Sequence, residues 1–319
     1  MVQIAVSSAT RVGYLLETTE NVIPATPIFQ TLRVTSESLE VKRTAEQSQE
    51  LDSNRNVADS VLTSAEGTGA LNYEFSATTF EDLLACAMRQ NWVADQLVNG
   101  TVQKTLAVEV EYTTAVVYKR FTGAQISKMK IDFKPKSIIT GSFDVLSRGT
   151  AYDNATIAGA TYTAPTTTPI MTGGLDFAGF SMAGLTIDCV PMLSMEIDNN
   201  LRTLWCLNGS LDPNAISSGD FTVKGDIEFY LDANKYAILQ AFIANTATSL
   251  NFTVGRTTLL KTSFEMPNVR FSEATVASQG KNNDVLIKAK WQAHRAPTTA
   301  FTVPITGEQA TMRVTRHVV

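Results

Sequence analysis

Two histidines and three cysteines, with scattered carboxylates, are the side chains from which a catalytic or metal site would have to be built in this 319-residue chain. Serine-histidine-aspartate catalysis would need His294, beside a strongly alternating segment, or His317, close to the last residue, and nothing marks a nucleophile elbow. Cys86, Cys189 and Cys206 are far apart and form no C-x-x-C pair, so they read as reduced structural thiols and not as a zinc site. Cys189 and Cys206 could meet across a hairpin, and the spacing leaves that open. Gly67-Thr68-Gly69 lacks the rest of a phosphate-binding loop and precedes a strand pattern. Glu109 and Glu111 share a strand face, as the paired acids of a glycosidase do, and Glu81 and Asp82 are adjacent. Solvated strand charges are the commoner origin of such patterns, and Lys128, Lys130 and Lys134 are read the same way, as a solvated or intersubunit face. Asp52-Ser53-Asn54-Arg55-Asn56 puts Arg55 where a calcium loop needs oxygen. The expectation is a protein that is not an enzyme and carries no cofactor or metal.

The elements that would position any of these residues are strands. Leu106, Val108, Val110 and Tyr112 alternate with Ala107, Glu109 and Glu111. The same period of two runs through 128–134, 226–231 and 287–291, giving each strand one apolar face and one for water or a partner. Two stretches change to helical spacing. Phe80, Leu83, Leu84, Ala87 and Met88 follow a Thr78-x-x-Glu81 capping box, and Tyr236, Leu239, Phe242 and Ile243 follow Asp232 or Asn234 as cap. A mainly β chain with two helices results.

These landmarks repeat at one constant offset. Ala77 matches Ala233, the strand Leu71-x-Tyr73-x-Phe75 matches Ile227-x-Phe229-x-Leu231, Gly69 matches Gly225, and Ser38-Leu39-Glu40-Val41 matches Ser194-Met195-Glu196-Ile197. Order, spacing and hydrophobic phase agree together, which reads as an internal duplication. Beyond the helices the lengths differ, and 129–133 is matched with 267–271. The expected organisation is an N-terminal arm at 1–35, a first domain at 36–148, a polar connector at 149–180, a second domain at 181–295 and a C-terminal arm at 296–319. In that last arm 301–305 and 311–314 could pair as strands.

Bulk properties narrow the partners. Hydrophobic residues make up 44% and charged residues 18%, enough apolar material for large cores, and no run of about 18 apolar residues could span a membrane. The first residues lack a basic stretch followed by an apolar one, which fits folding in the cytoplasm. The net charge of -5, without Lys/Arg clusters, argues against a protein that grips nucleic acid, though such a chain could lie beside DNA without holding it.

Residues 11–27, Arg11-Val12-Gly13-Tyr14-Leu15-Leu16-Glu17-Thr18-Thr19-Glu20-Asn21-Val22-Ile23-Pro24-Ala25-Thr26-Pro27, lead into Leu32-Arg33-Val34-Thr35-Ser36-Glu37-Ser38-Leu39. This stretch resembles the opening of the major tail tube proteins of long-tailed bacteriophages, with Asn21 where glycine is usual. Asparagine tolerates the left-handed backbone next best. Asn54 to Asp59 and the Gly69-x-Leu71-x-Tyr73-Glu74-Phe75 strand add to the likeness, which is clear over about residues 11–90. The resemblance implies tandem β-sandwich or barrel domains, each flanked by one helix, in a structural virion protein of the phage tail, assembled in the host cytoplasm. With the duplication it implies homotrimeric, pseudo-sixfold rings stacked into a hollow tube, with the three arms as candidates for ring-to-ring contacts and a non-contractile tail favoured. Tape measure, tail terminator and tail tip proteins are the implied partners, and double-stranded DNA passes transiently. Glu40, Glu109, Glu111, Glu196, Asp226 and Glu228 are candidates for an acidic lumen wall that repels phosphate. The rival readings are a carbohydrate- or receptor-binding β-sandwich of a tail tip, which the scattered Trp92, Trp205 and Trp291 disfavour, and the tube of a phage-like bacteriocin or contractile secretion system.

Overall fold

The computed structural model describes residues 4–51, 56–182, 185–186, 189–232, 235–256, 260–278, 280–302 and 309–317. In the first half, β1 (Thr10–Leu16), β2 (Ile28–Thr31), β3 (Val34–Glu37), β4 (Glu40–Gln47) and β5 (Ser60–Glu74) precede α1 (Glu81–Met88). There follow β6 (Gln96–Val98), β7 (Leu106–Tyr112), β8 (Val117–Phe133), β9 (Thr140–Ser147), β10 (Gly149–Asp153) and β11 (Thr161–Thr163). The second half holds β12 (Phe177–Met182), β13 (Leu185–Thr186), β14 (Met192–Asp198), β15 (Arg202–Leu204), β16 (Ala215–Ser217) and β17 (Thr222–Tyr230), then α2 (Tyr236–Ile243). It ends with β18 (Thr248–Gly255), β19 (Lys261–Ala277), β20 (Leu286–Ala293) and β21 (Arg313–His317). All four segments that alternate in sequence lie in strands: β7, β8, β17 and β20.

The strands pair in the same order twice. In the first half β3 and β4 lie in succession along one edge of β5, and β9, β8, β7 and β1 follow on its other side. In the second, β14 is followed by β17, β20, β19, β18 and β12. The two runs join where β14 pairs antiparallel with the second part of β8, Leu193 opposite Phe133 through Asp198 opposite Lys128. The large sheet so formed does not close into a barrel within the chain.

Small details recur with the pairing. Ser38 Oγ accepts the Ala70 N–H at 3.0 Å, and Ser194 Oγ accepts the Asp226 N–H at 3.0 Å. Next to these sit Gly69 and Gly225, where a Cβ would lie 2.4 Å from the Ser38 carbonyl oxygen and 1.9 Å from that of Ser194. Each long strand also has a β-bulge, between Ile126 and Lys128 in β8 and between Phe271 and Glu273 in β19. The bulges correct the sequence match of 129–133 with 267–271. Met129 lies opposite Phe143, itself opposite Leu71; Ala274 lies opposite Ala289, itself opposite Ile227. The structural counterpart of Met129–Asp132 is therefore Ala274–Ala277. Ser272, at the bulge, resets the alternation by one residue, so segments on either side of it show the same apolar period and sequence cannot choose between them.

One cluster of buried side chains runs through both halves, from Val12 to Val314. Trp291, Tyr73, Phe121, Phe143, Phe229, Phe252 and Phe264 are its largest fully buried members. Each such side chain contributes about 1.5–3 kcal/mol relative to exposure. The face of α1 at 80, 83, 84, 87 and 88 is buried as its spacing predicts. Its expected capping box is absent: Thr78 has φ 63°, Phe80 occupies the cap position, and no side chain caps the helix. On α2, Ile238 is the buried residue and Leu239 and Phe242 pack partly, whereas Tyr236 and Ile243 are 57% and 79% exposed and so do not belong to the inward face. Asp232 accepts the Lys235 N–H one turn ahead of that helix; Asn234 lies outside the described residues.

Parts of the expected arms and connector are tied to the chain's own sheet. β1 pairs along its whole length with β7. β10 pairs with the first part of β8, and β11 runs parallel to β2. β21 lies between β19 and β6, fastening the C-terminal segment to both halves. The expected partner segment at 301–305 falls mostly outside the described residues.

Candidate functional site

Residues directly opposite on neighbouring strands share a face, so the register fixes what the outer face of the joined sheet carries. Across the joint, Asp144, Lys128 and Asp198 lie in one row, and Ser142, Lys130, Glu196, Lys224 and Gln292 in the next. Asp226, Lys290 and Glu273 form another row, beside Glu228, Lys288 and Thr275. Asp132 and, at the far end, Glu40 opposite Thr68 belong to the same face. Acids outnumber lysines on it, and the lysines are engaged by acids. Lys128 meets Asp198 at 3.0 Å, Lys130 and Lys224 meet Glu196 at 3.1 and 3.2 Å, Lys288 meets Glu228 at 2.7 Å, and Lys290 meets Glu273 at 2.7 Å.

Glu196 is the hub. Its partial burial works against ionisation, but hydrogen bonds and charge from Lys130 and Lys224 prevail and hold its carboxyl below the usual range. Burial raises Asp144, with Glu196 and Asp198 adding to the rise and Lys130 and Lys128 opposing it. A shallow groove of about 460 Å³ follows this face, lined by Lys130, Glu196, Lys224, Asp226 and Lys290 above Trp291. Its charges neutralise one another in pairs, and no nucleophile with a base converges there.

Four of the six acids expected to share a wall are thus brought together: Glu40, Glu196, Asp226 and Glu228. Glu109 and Glu111 are not part of it, a correction of that expectation. Both faces of β7 are covered over Leu106–Val110, because residues of β2 and β11 pack on the second face around Leu15, Phe29 and Ala107. Glu109 is 2% exposed, 2.7 Å from Arg120 Nε, and accepts the Tyr162 hydroxyl at 2.6 Å. Glu111 pairs with Arg11 and accepts the Tyr118 hydroxyl at 3.0 Å. Asp132, Asp144, Asp198, Glu273 and the lysines of β17 and β20 join the four acids on one face through the strand pairing, which a period of two within each strand does not by itself supply.

The other reactive groups are dispersed. Cys86 is buried, which pushes its thiol up to about 12, and Cys189 and Cys206 are exposed and unpaired. His317 Nε2 lies 3.1 Å from Ser263 Oγ on paired strands, but no carboxylate orients the ring among the described residues, so the relay of a triad is not assembled. His294 is exposed. Among the described residues no three His, Cys, Asp or Glu side chains group as a metal site, and no helix is long and apolar enough to cross a membrane. Asn21 has φ 64°, the left-handed backbone for which glycine is usual at this position, and its Oδ1 accepts the Thr122 hydroxyl at 2.7 Å.

A comparison with curated proteins finds no match. The family model described as phage tail tube protein matches residues 7–309. That span takes in the twice-repeated sheet, the joint between its two runs and the charged face, and the chain therefore belongs to the phage tail tube protein family, structural components of the virion tail.

Proposed function

We propose that the protein forms closed homotrimeric rings with pseudo-sixfold symmetry, stacked into the hollow tube through which phage DNA is delivered, and that the charged face of the joined sheet lines the lumen. The observation that carries this reading is the repeated strand order with its internal joint between β8 and β14. A chain holding two similar units already side by side needs three copies, and not six, to complete a sixfold ring. On this reading residues 36–148 and 181–295 hold most of the two tube domains, and β1 and β12 add the last strand of each repeated run. Stacking of rings is a head-to-tail contact that does not close, so it grows as a filament. Tape measure, terminator and tip proteins would set its length and ends.

The face suits passage of DNA by what it withholds. Its lysines are held by acids on adjacent strands, so the phosphate backbone meets no free cationic row, and the acid excess keeps a weakly repulsive wall. Negative-stain electron microscopy of the purified protein, with averaged end views, tests the reading. Hollow rings or tubes with three- or sixfold end views are expected, and a compact closed oligomer without a lumen refutes it.

A further inference from the structure

Each half of the chain presents the same two edges, but only one pair of them is satisfied internally. β14 pairs with β17 on one side and with β8 on the other. Its counterpart β4 pairs with β5, and its other edge has no partner among the described residues. β8 beyond its bulge is flanked by β9 and β14. Its counterpart, β19 beyond Ser272, is flanked by β20 alone among the described residues. The chain thus carries, as its own β8–β14 joint, a template for a contact that its two remaining edges would make with each other.

We propose that the free edge of β4 pairs antiparallel with residues 273–277 of β19 in a second copy, in the register of the internal joint, and that charge placement at this seam enforces alternation of first and second units around the ring. The proposal rests on the ring reading above and specifies its seam. Ser38 and Ser194 are equivalent, as are Met129 and Ala274. Transferring the pairs Met195 with Ile131, Glu196 with Lys130, Ile197 with Met129 and Asp198 with Lys128 gives Leu39 opposite Val276, Glu40 opposite Thr275, Val41 opposite Ala274 and Lys42 opposite Glu273. In the internal joint the Asn199 N–H donates to the Ser127 carbonyl at the bulge at 2.9 Å, so Arg43 N–H donates to the carbonyl of Ser272 across the seam.

Two observations fit that register. Val276 is 47% exposed, whereas its counterpart Ile131 is wholly buried at the occupied joint; docking β4 covers it. The charges are also complementary with reversed sign. The internal joint sets an acid of β14, Asp198, on a lysine of β8, Lys128, and the seam sets a lysine of β4, Lys42, on an acid of β19, Glu273. Wrong joints are therefore penalised. β14 of one copy on β19 of another would put Asp198 on Glu273, and β4 on β8 would put Lys42 on Lys128. Like charges directly opposite on paired strands are destabilising, and a repulsive element of this kind discriminates between otherwise similar partners.

The test uses the full chain with Cys189→Ser and Cys206→Ser, to which Lys42→Cys and Glu273→Cys are added. Mild oxidation of assembled protein is expected to give dimers and trimers on a non-reducing gel, and an out-of-register pair, Lys42→Cys with Ala277→Cys, is expected to give few. In a second experiment Lys42→Glu or Glu273→Lys alone raises the concentration needed for assembly about fivefold or more, and the double reversal restores it. Rings seen by electron microscopy without the 42–273 cross-link, or with stronger cross-linking by the shifted pair, overturn the seam and leave the ring reading standing. Wild-type protein that never forms rings overturns both.

Discussion

Gly225→Ala is a small change aimed at the closest backbone approach in the repeated unit. The added methyl would sit 1.9 Å from the Ser194 carbonyl oxygen, 2.8 Å from its carbonyl carbon and 2.8 Å from a ring carbon of Trp291. Two of these neighbours are backbone of β14 and the third is a fully buried ring, so none can swing aside. β14 and β17 must separate locally, at the hydrogen bond from Asp226 N–H to Ser194 Oγ. Overpacking a tight site costs about 1–3 kcal/mol, and a backbone clash belongs at the upper end, about 3 kcal/mol. For a unit of 150–250 residues each kcal/mol lowers Tm by roughly 2–4 °C, so a fall of about 6–12 °C is expected in a thermal melt of unassembled protein. Gly69→Ala, whose methyl would lie 2.4 Å from the Ser38 carbonyl oxygen, is expected to destabilise in the same way. Gly174, with nothing within 4 Å of its Cβ position, is the control, and its alanine variant should stay within about 0.5 kcal/mol. Unchanged melts for both Gly69→Ala and Gly225→Ala would refute the reasoning that these glycines let the paired strands approach.

Asp176 is almost completely buried and accepts the Thr172 N–H at 2.7 Å and Arg256 Nε at 2.6 Å. Burial opposes its ionisation, yet Arg256 and Thr172 hold its carboxyl below the ordinary range. Its contribution is therefore complete above the unfolded value of about 4 and is lost as pH falls through the lower folded value; Asp176→Asn should cost about 1–3 kcal/mol at pH 7 and flatten the acid limb of a stability-pH curve measured by urea unfolding. Asn21→Ala keeps a left-handed backbone but loses the Thr122 hydrogen bond, and about 1–3 kcal/mol of destabilisation is expected in the same assay, with Asn21→Gly milder because glycine relieves the backbone cost. Asp226→Lys places a cation opposite Lys290 on the charged face; tubes should still assemble, but genome ejection should slow and DNA retention by purified tubes should fall steeply with added salt, and unaltered ejection kinetics would count against the lumen assignment.

The strands, the helix at 81–88 and the twofold repetition were legible because each rests on local periodicity, and periodicity survives any tertiary arrangement. What periodicity cannot carry is phase across a bulge and coverage by distant segments. Ser272 resets the alternation of β19, so the match to 267–271 looked as good as the true one at 274–277. Nothing local to Glu109 reveals that Tyr162, fifty-three positions away, lies over it, so two alternating glutamates read as a solvated pair when one of them is a buried partner of Arg120. The capping box at Thr78 failed for a related reason: Thr79 and Ser76 are hydrogen-bonded to each other at 2.7 Å, and Thr79 also contacts Thr166, so the residues before α1 serve a contact with the connector and leave the helix uncapped by any side chain.

The charged face shows why an acidic lumen candidate could be found by sequence only in part. A wall made solely of carboxylates would repel itself as well as DNA, because like charges on adjacent strands weaken the sheet that bears them. The structure interleaves Lys128, Lys130 and Lys224 around Glu196, and sets Lys288 and Lys290 beside Glu228 and Glu273. Pairing across strands stabilises the face and, in the same geometry, leaves few cations free to hold a phosphate. Removing the hub separates these two effects. Glu196→Gln leaves Lys130 and Lys224 without the carboxylate that both of them engage, so it should lower stability and raise affinity for DNA together. An acid-to-amide change at Asp226, which is exposed at the surface, should leave stability within about 0.5 kcal/mol. Equal effects of the two variants on both properties would mean that net charge, and not the pairing across strands, governs this face.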